Sequence, residues 1–203
     1  MGSTGCGCGS TFRFPQDHPI PKPEGNVQGL KPSQLAALTR LFNRRFPAAE
    51  VYTVDQAREL SLLSRALGRQ VGLLIDRKGR VQMVIVGEAG SIMIPELPRG
   101  RSGQERLRGL RLLHTHLNPG GISQEDLMDM LFLRLDAVVA LTVNPVGEPV
   151  QWQAAHLLPT PSGGQPYHLD NPQPWAHTDS HFVPTPEALE EELARKAAAA
   201  REP

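Results

Sequence analysis

Between residues 71 and 158 the chain alternates short apolar runs of strand type with one stretch of helical period. Residues 71–75 and 81–86 are apolar enough for buried strands, and Asp76-Arg-Lys-Gly79 between them supplies glycine where a tight turn needs positive φ. They predict an antiparallel pair. Residues 91–94 predict a short third strand before an arginine-rich loop. Gly109-Leu-Arg-Leu-Leu113 alternates and predicts a strand that ends in His114-Thr-His116. Ser123 then opens a helix on Leu127, Met130 and Leu131, and strands follow at 136–143 and 150–158 around the turn Asn144-Pro-Val-Gly-Glu-Pro149. Trp152, between Gln151 and Gln153, reads as a residue packed on the sheet rather than one that binds ligand, and His156 reads equally well as a strand-end residue without chemistry.

Helical spacing dominates before residue 71. Ser33 after Pro32 predicts the cap of a helix with Leu35, Leu38, Leu41 or Phe42, and Phe46 on one face, ending before Pro47. Thr53 and Gln56 have capping-box spacing, Leu60, Leu63 and Leu67 share a face, and Gly68 is a C-terminal stop. The elements together predict an α/β domain at 29–158, a mixed, partly antiparallel sheet with flanking helices. Around it lie a Gly/Pro-rich arm at 1–28, read as flexible, and a Pro/Gly-rich covering loop or linker at 159–184 carrying His168, Trp175, His177 and His181. A charged helix at 185–203 has Thr185 as cap, Pro186 at its first position, acids next and basic residues after them.

Composition narrows the picture. At 203 residues and 39% hydrophobic content the chain can bury one sizeable core rather than two. Lys+Arg and Asp+Glu are equal at 21 each, so overall charge makes no case for nucleic acid or membrane. Locally, Arg99, Arg101, Arg106, Arg108 and Arg111 accompany the single acid Glu105; they form either a phosphate contact or a solvated loop. Cys6 and Cys8 sit in a run too rich in glycine to pack and imply no disulfide framework. No stretch reads as a signal peptide or a membrane span, so the expected location is cytoplasmic.

The chemistry concentrates in thirteen residues, His114 to Asp126. Two imidazoles at i and i+2 project from one face of a strand end, and Asp126 lies in the first turn of the next helix, where it can point back toward them. His114, His116 and Asp126 with an open fourth position make a catalytic zinc arrangement, in which bound water ionises near pH 7. A second account stays open: Ser123 and Asp126 as a helix cap, and the two histidines as buried, hydrogen-bonded strand-end residues.

This His-x-His followed by Ser-x-x-Asp resembles the JAB/MPN metallopeptidases, and the resemblance implies zinc on His114, His116 and Asp126, with Ser123 in the active site. It also implies a glutamate base on an earlier strand. Here that place is held by Gln70, whose amide cannot take a proton near neutral pH. Glu88, at the end of the next strand, is the substitute if the fold brings it to the metal. Leu117 stands where the family has proline, and the loop 117–122 is one residue shorter than usual.

A longer resemblance runs through several ordered blocks: Gly29-Leu-Lys-Pro-Ser-Gln-Leu35, residues 60–65 and 69–79, residues 107–117, Leu133-Arg-Leu-Asp136, Ala155-His-Leu-Leu-Pro159 and residues 188–197. These look like the long N-terminal extension of some bacterial HflX-type GTPases, which are ribosome-associated. The resemblance implies a noncatalytic accessory module whose partners are the GTPase domains of a longer chain and the ribosome or its RNA, the latter through Arg99, Arg101, Arg106 and Arg108. No Gly-x-x-x-x-Gly-Lys-Ser/Thr loop occurs, so no GTP site falls within this sequence.

Overall fold

The computed structural model describes residues 21–47, 51–95, 107–158 and 166–175. Eight strands form one sheet: β1 (Glu24–Gly25), β2 (Val71–Asp76), β3 (Val81–Val86), β4 (Leu110–His116), β5 (Ala137–Val143), β6 (Pro149–Leu157), β7 (Tyr167–Leu169) and β8 (Gln173–Pro174). They lie in the order β1-β3-β2-β4-β5-β6-β7, and β8 also pairs with β6. Only β1/β3 and β4/β5 are parallel, so the sheet is mixed and mostly antiparallel. Among the described residues three α-helices, α1 (Pro32–Arg40), α2 (Val54–Leu67) and α3 (Gln124–Leu133), accompany the sheet in an α/β architecture.

Alternation along the strands divides the interior in two. On one face Leu73, Ile75, Val84, Leu113, Val139, Leu141 and Ala154 pack with Leu38 of α1 and Ala57 and Leu60 of α2. Leu74, Ile85, Leu112, Val138 and Ala155 face the other way, against Met130 of α3. Burying one such leucine stabilises the fold by about 2 kcal/mol, so a one-residue register slip would be prohibitive. The direction of His114 is thereby set: it continues the Leu110, Leu112 row toward α3.

Several helix ends follow the sequence. Thr53 Oγ1 accepts from Gln56 N at 3.3 Å while Gln56 Oε1 accepts from Thr53 N at 2.9 Å, and Gly68 closes α2 at φ +62. The start of α1 differs from expectation. Pro32 holds the first helical position, Lys31 is the N-cap, and Gln34 Oε1 accepts from Lys31 N at 2.9 Å. Proline lacks the N–H that a cap must satisfy and forces its predecessor into extended geometry, so the boundary falls before Pro32 rather than at Ser33.

Three segments differ more. Residues 91–94 form no strand; Ser91 O accepts from Glu88 N, and Ile92 and Ile94 fold onto the α3-side core. Part of the predicted arm is ordered, because Glu24 and Gly25 add a parallel edge strand beside Ile85 and Val86. Tyr167–Leu169 and Gln173–Pro174, assigned from sequence to a covering loop, pair with β6 and extend the domain to residue 175. Trp152 packs edge-on against Tyr52, with centroids 6.2 Å apart, as its alternation suggested. The 185–203 helix, His177, His181, Cys6, Cys8, Arg99, Arg101 and Arg106 lie outside the described residues.

Candidate metal centre

The crossover from β4 to β5 creates the site. Parallel neighbours cannot be joined by a tight turn, so the chain leaves the carboxyl end of β4, passes through residues 117–122 and α3, and returns. This delivers the N-terminus of α3 to the strand end that carries the histidines. Gly72 and Ala140 flank His114 on the neighbouring strands, and both are small enough to leave room for the imidazole. A Cβ at Gly72 would meet Ile92 Cδ1 at 2.5 Å, so the 91–94 segment closes directly over this row.

The connecting loop is pinned from below. Thr142 Oγ1 donates to Gly120 O at 2.7 Å, and Ile122 N donates to Gln153 Oε1 at 2.8 Å. Any side chain at Gly121 would collide with that Gln153 amide, the Cβ falling 1.7 Å from Oε1. Ser123 caps α3: its Oγ accepts from Asp126 N at 3.1 Å and donates to Asp126 Oδ2 at 2.7 Å, and its N–H donates to the same oxygen at 2.7 Å. The capping account and the ligand account are therefore compatible. Oδ2 serves the cap, while Oδ1 is left facing the histidines.

His114 Nε2 and His116 Nε2 stand 2.8 Å apart, His114 Nε2 is 3.1 Å from Asp126 Oδ1, and His116 Nε2 is 3.6 Å from Asp126 Oδ2. Protons alone satisfy this group poorly. Placed on His116 Nε2, one proton leaves His114 Nε2 and Asp126 Oδ1 meeting lone pair to lone pair; placed on His114 Nε2, it must be shared in a bent bond between two acceptors. Protons on both nitrogens would oppose each other at 2.8 Å. A cation accepts all three lone pairs at once. Among the described residues, His114, His116 and Asp126 form the one group of His, Cys, Asp or Glu side chains whose ligand atoms gather within 4.8 Å, and it could hold a metal ion.

Electrostatics agree with that reading. Burial and the neighbouring His114 hold the His116 pKa down to about 4, against weaker upward effects from Asp126 and the Gly121 backbone, so this imidazole is a neutral ligand across the physiological range. Burial opposes ionisation of Asp126, but hydrogen bonds from His114 and Ser123 outweigh it and keep the carboxyl below the usual range. His114 is fully buried, and its Nδ1 has no hydrogen-bond partner.

A cavity of about 680 Å³ opens beside the cluster. Gln70, His116, Ser123, Glu125, Asp126 and Asp129 supply its side-chain polar groups along with Asn118 and Ser91, and among the described residues neither arginine nor lysine lines it. Burial and the charges of Asp126 and Glu125 raise the Asp129 pKa. Gln70 is only 4% exposed, and its Oε1 has no hydrogen-bond partner. It precedes Val71 on the strand that pairs Gly72 with His114, so it lies in the row of the histidines.

The other residues singled out by sequence fall elsewhere. Glu88 does not line the cavity; its Oε1 accepts from Asn26 Nδ2 at 2.8 Å, because residues beyond β3 follow the edge toward β1. Arg108 is exposed in the turn before β4, at the end of that strand remote from the histidines. Arg111 is buried within the sheet and donates to Pro47 O at 2.9 Å. Sequence reading passed over Gln153, Thr142, Glu125 and Asp129; the last two stand at helical spacing from Asp126 and were legible as a carboxylate cluster. It also passed over a second trio. His156 Nε2 is 3.2 Å from Asp170 Oδ2, and His168 Nε2 is 3.2 Å from Asp170 Oδ1. No helix among the described residues is long and apolar enough to cross a membrane. Set against protein-family models, known proteins and solved structures, the chain matches none of them.

Proposed function

We propose that this domain is a zinc-binding module that holds a ligand without hydrolysing it, and that it serves as the N-terminal accessory domain of an HflX-like, ribosome-associated GTPase. The observation that carries the metal part is the convergence of two imidazole nitrogens and a carboxylate oxygen on one point, which a proton on His114 Nε2 serves only as a bond shared between two acceptors. Two neutral nitrogens and one carboxylate oxygen suit zinc, and the adjacent cavity leaves a coordination position for a ligand. When bound, the ion would act as a Lewis acid toward that ligand. The noncatalytic part follows from Gln70, an amide in the histidine row where hydrolysis would need a base.

Metal analysis of protein prepared with and without His116→Ala tests the reading: one zinc per chain in the parent and none in the variant is expected, and a metal-free parent after zinc dialysis would end it. Co-sedimentation with ribosomes tests the accessory role, with association expected to weaken at high salt and in Arg108→Glu. A second reading, a zinc hydrolase of the JAB/MPN type, is favoured by the open cavity against the ligand group. It requires peptide or isopeptide cleavage by the parent chain, whereas the noncatalytic reading expects cleavage only after Gln70→Glu.

A further inference from the structure

Two polar atoms in the row of the histidines are buried and, among the described residues, have no hydrogen-bond partner: the acceptor Gln70 Oε1 and the ring nitrogen His114 Nδ1. The register of β2 on β4 puts them within reach of each other. Gly72 is the direct partner of His114, and Gln70, two residues earlier on the same face, is its diagonal neighbour. Cβ atoms in such a pair are about 7 Å apart, a span that long side chains cross, and Gly72 puts no side chain between them. Ile92 closes over Gly72, its Cδ1 2.5 Å from where a Cβ would stand, and both orphaned atoms are sealed from solvent. His116 differs, because the Gly121 backbone already hydrogen-bonds its ring.

A metal on His114 Nε2 changes what Nδ1 is. With Nε2 committed to the ion, Nδ1 is the only nitrogen left to carry the proton of a neutral ring, so it becomes a donor in need of an acceptor. Metal-bound histidines give that N–H to a carboxylate, a carbonyl or water, which fixes the ring and raises its basicity as a ligand. Among the described residues no backbone carbonyl takes that place, and the atom is closed to water. Resting on the metal-binding reading above, we propose that Gln70 is the outer-shell support of the metal centre: its Oε1 accepts from His114 Nδ1–H when the ion is bound and so orients the buried imidazole. The pairing satisfies both orphaned atoms at once. Gln70 is then a positioning residue for the metal rather than a base that has lost its charge.

Zinc affinity, read by competition with a chromophoric chelator, and metal-free stability, read by urea unfolding, test this on the full chain. Gln70→Leu should bind zinc about tenfold or more weakly, while stoichiometry at saturation stays at one. Its metal-free unfolding midpoint should stay at or above the parent's, because the carbonyl it removes has no partner in that state. Gln70→Glu, which keeps an acceptor at the same reach, should bind zinc at least as tightly as the parent. Proton–nitrogen NMR spectra of the histidine side chains should show the His114 Nδ1–H of the zinc-loaded parent downfield and slow to exchange, and should show it shifted upfield in Gln70→Leu. Undiminished zinc affinity in Gln70→Leu, or an Nδ1–H resonance that the variant leaves in place, would overturn the proposal. A metal-free midpoint that falls in step with the affinity would overturn it too, by assigning Gln70 to the packing of the fold. A parent that takes up no zinc would sink the metal reading beneath it, and this inference with it.

Discussion

Two trios of identical composition, two histidines and one aspartate each, occupy opposite faces of the same sheet. His114, His116 and Asp126 bring three ligand atoms to one point, with nitrogens 2.8 Å apart, so that a proton on His114 Nε2 has to be shared between two acceptors. In the other, His156 and His168 are direct cross-strand partners and Asp170 lies between them, one carboxylate oxygen 3.2 Å from each ring. That trio is complete as it stands: each imidazole has its own acceptor, and the carboxylate holds edge strand β7 to β6. Composition therefore does not by itself make a group that could hold a metal ion. What distinguishes the first trio is that one of its residues comes from a helix N-terminus delivered by a crossover, so the three lone pairs converge instead of alternating along a ladder.

The sharpest way to break the comparison is to remove one imidazole from each trio. His116→Ala should abolish stoichiometric zinc, a loss of affinity of about a thousandfold or more, whereas His168→Ala should leave zinc binding unchanged. Equal losses in both would mean that the second trio also contributes to a metal site. Next in size is the response of the metal-free protein to pH. Because burial keeps His116 neutral down to about pH 4 against an ordinary 6.5, the folded state binds fewer protons than the unfolded chain in that window. Stability should then fall as pH drops from about 6.5 to about 4, by at most about 1.4 kcal/mol per pH unit for this one proton. Urea titrations across that window should show the slope in the parent and a shallower one in His116→Gln.

Much of this architecture was legible before any coordinates. Hairpin chemistry at Asp76–Gly79, the Thr53 capping box and the Gly68 stop are local signals, written within four residues each, and they hold. The His-x-His strand and the Ser123 cap are local too, which is why the His114, His116 and Asp126 cluster could be read from spacing. The remainder depends on contacts between distant segments. Gln153 lies 31 residues from Ile122 and nothing near it announces that its amide fixes the site loop. Tyr167–Leu169 are strand only because β6 offers an edge, so their Pro/Gly-rich surroundings pointed to loop instead. Glu88 could stand in as the base only if the fold brought it to the histidines, and the path of the edge takes it to Asn26 instead.

The second trio can be perturbed on its own. Asp170→Asn leaves the backbone pairing intact but replaces an anionic acceptor shared by two imidazoles with a neutral amide. Since His156 is buried, the expected cost is about 2 kcal/mol of folding stability, measured by denaturant unfolding, with no change in zinc stoichiometry. A loss of zinc in this variant would show that the two faces are not independent.

They are in fact joined by one side chain, which gives the smallest and most discriminating test. Gln153 Oε1 accepts from Ile122 N at 2.8 Å in the loop that positions Asp126, and its Nε2 donates to Asp170 O at 2.8 Å beside the second trio. Gln153→Ala breaks both bonds but removes no ligand and no histidine partner. If the trios are held by separate devices, the variant should lose about 1 kcal/mol of stability and nothing else. If the site loop depends on this bridge, zinc affinity should fall as well, by about tenfold, the scale of an outer-shell support, while stoichiometry at saturation stays at one. Coupling is the expected result, because Gly121 has no room for a side chain beside that amide: the loop is built against Gln153, and the placement of Asp126 follows from it.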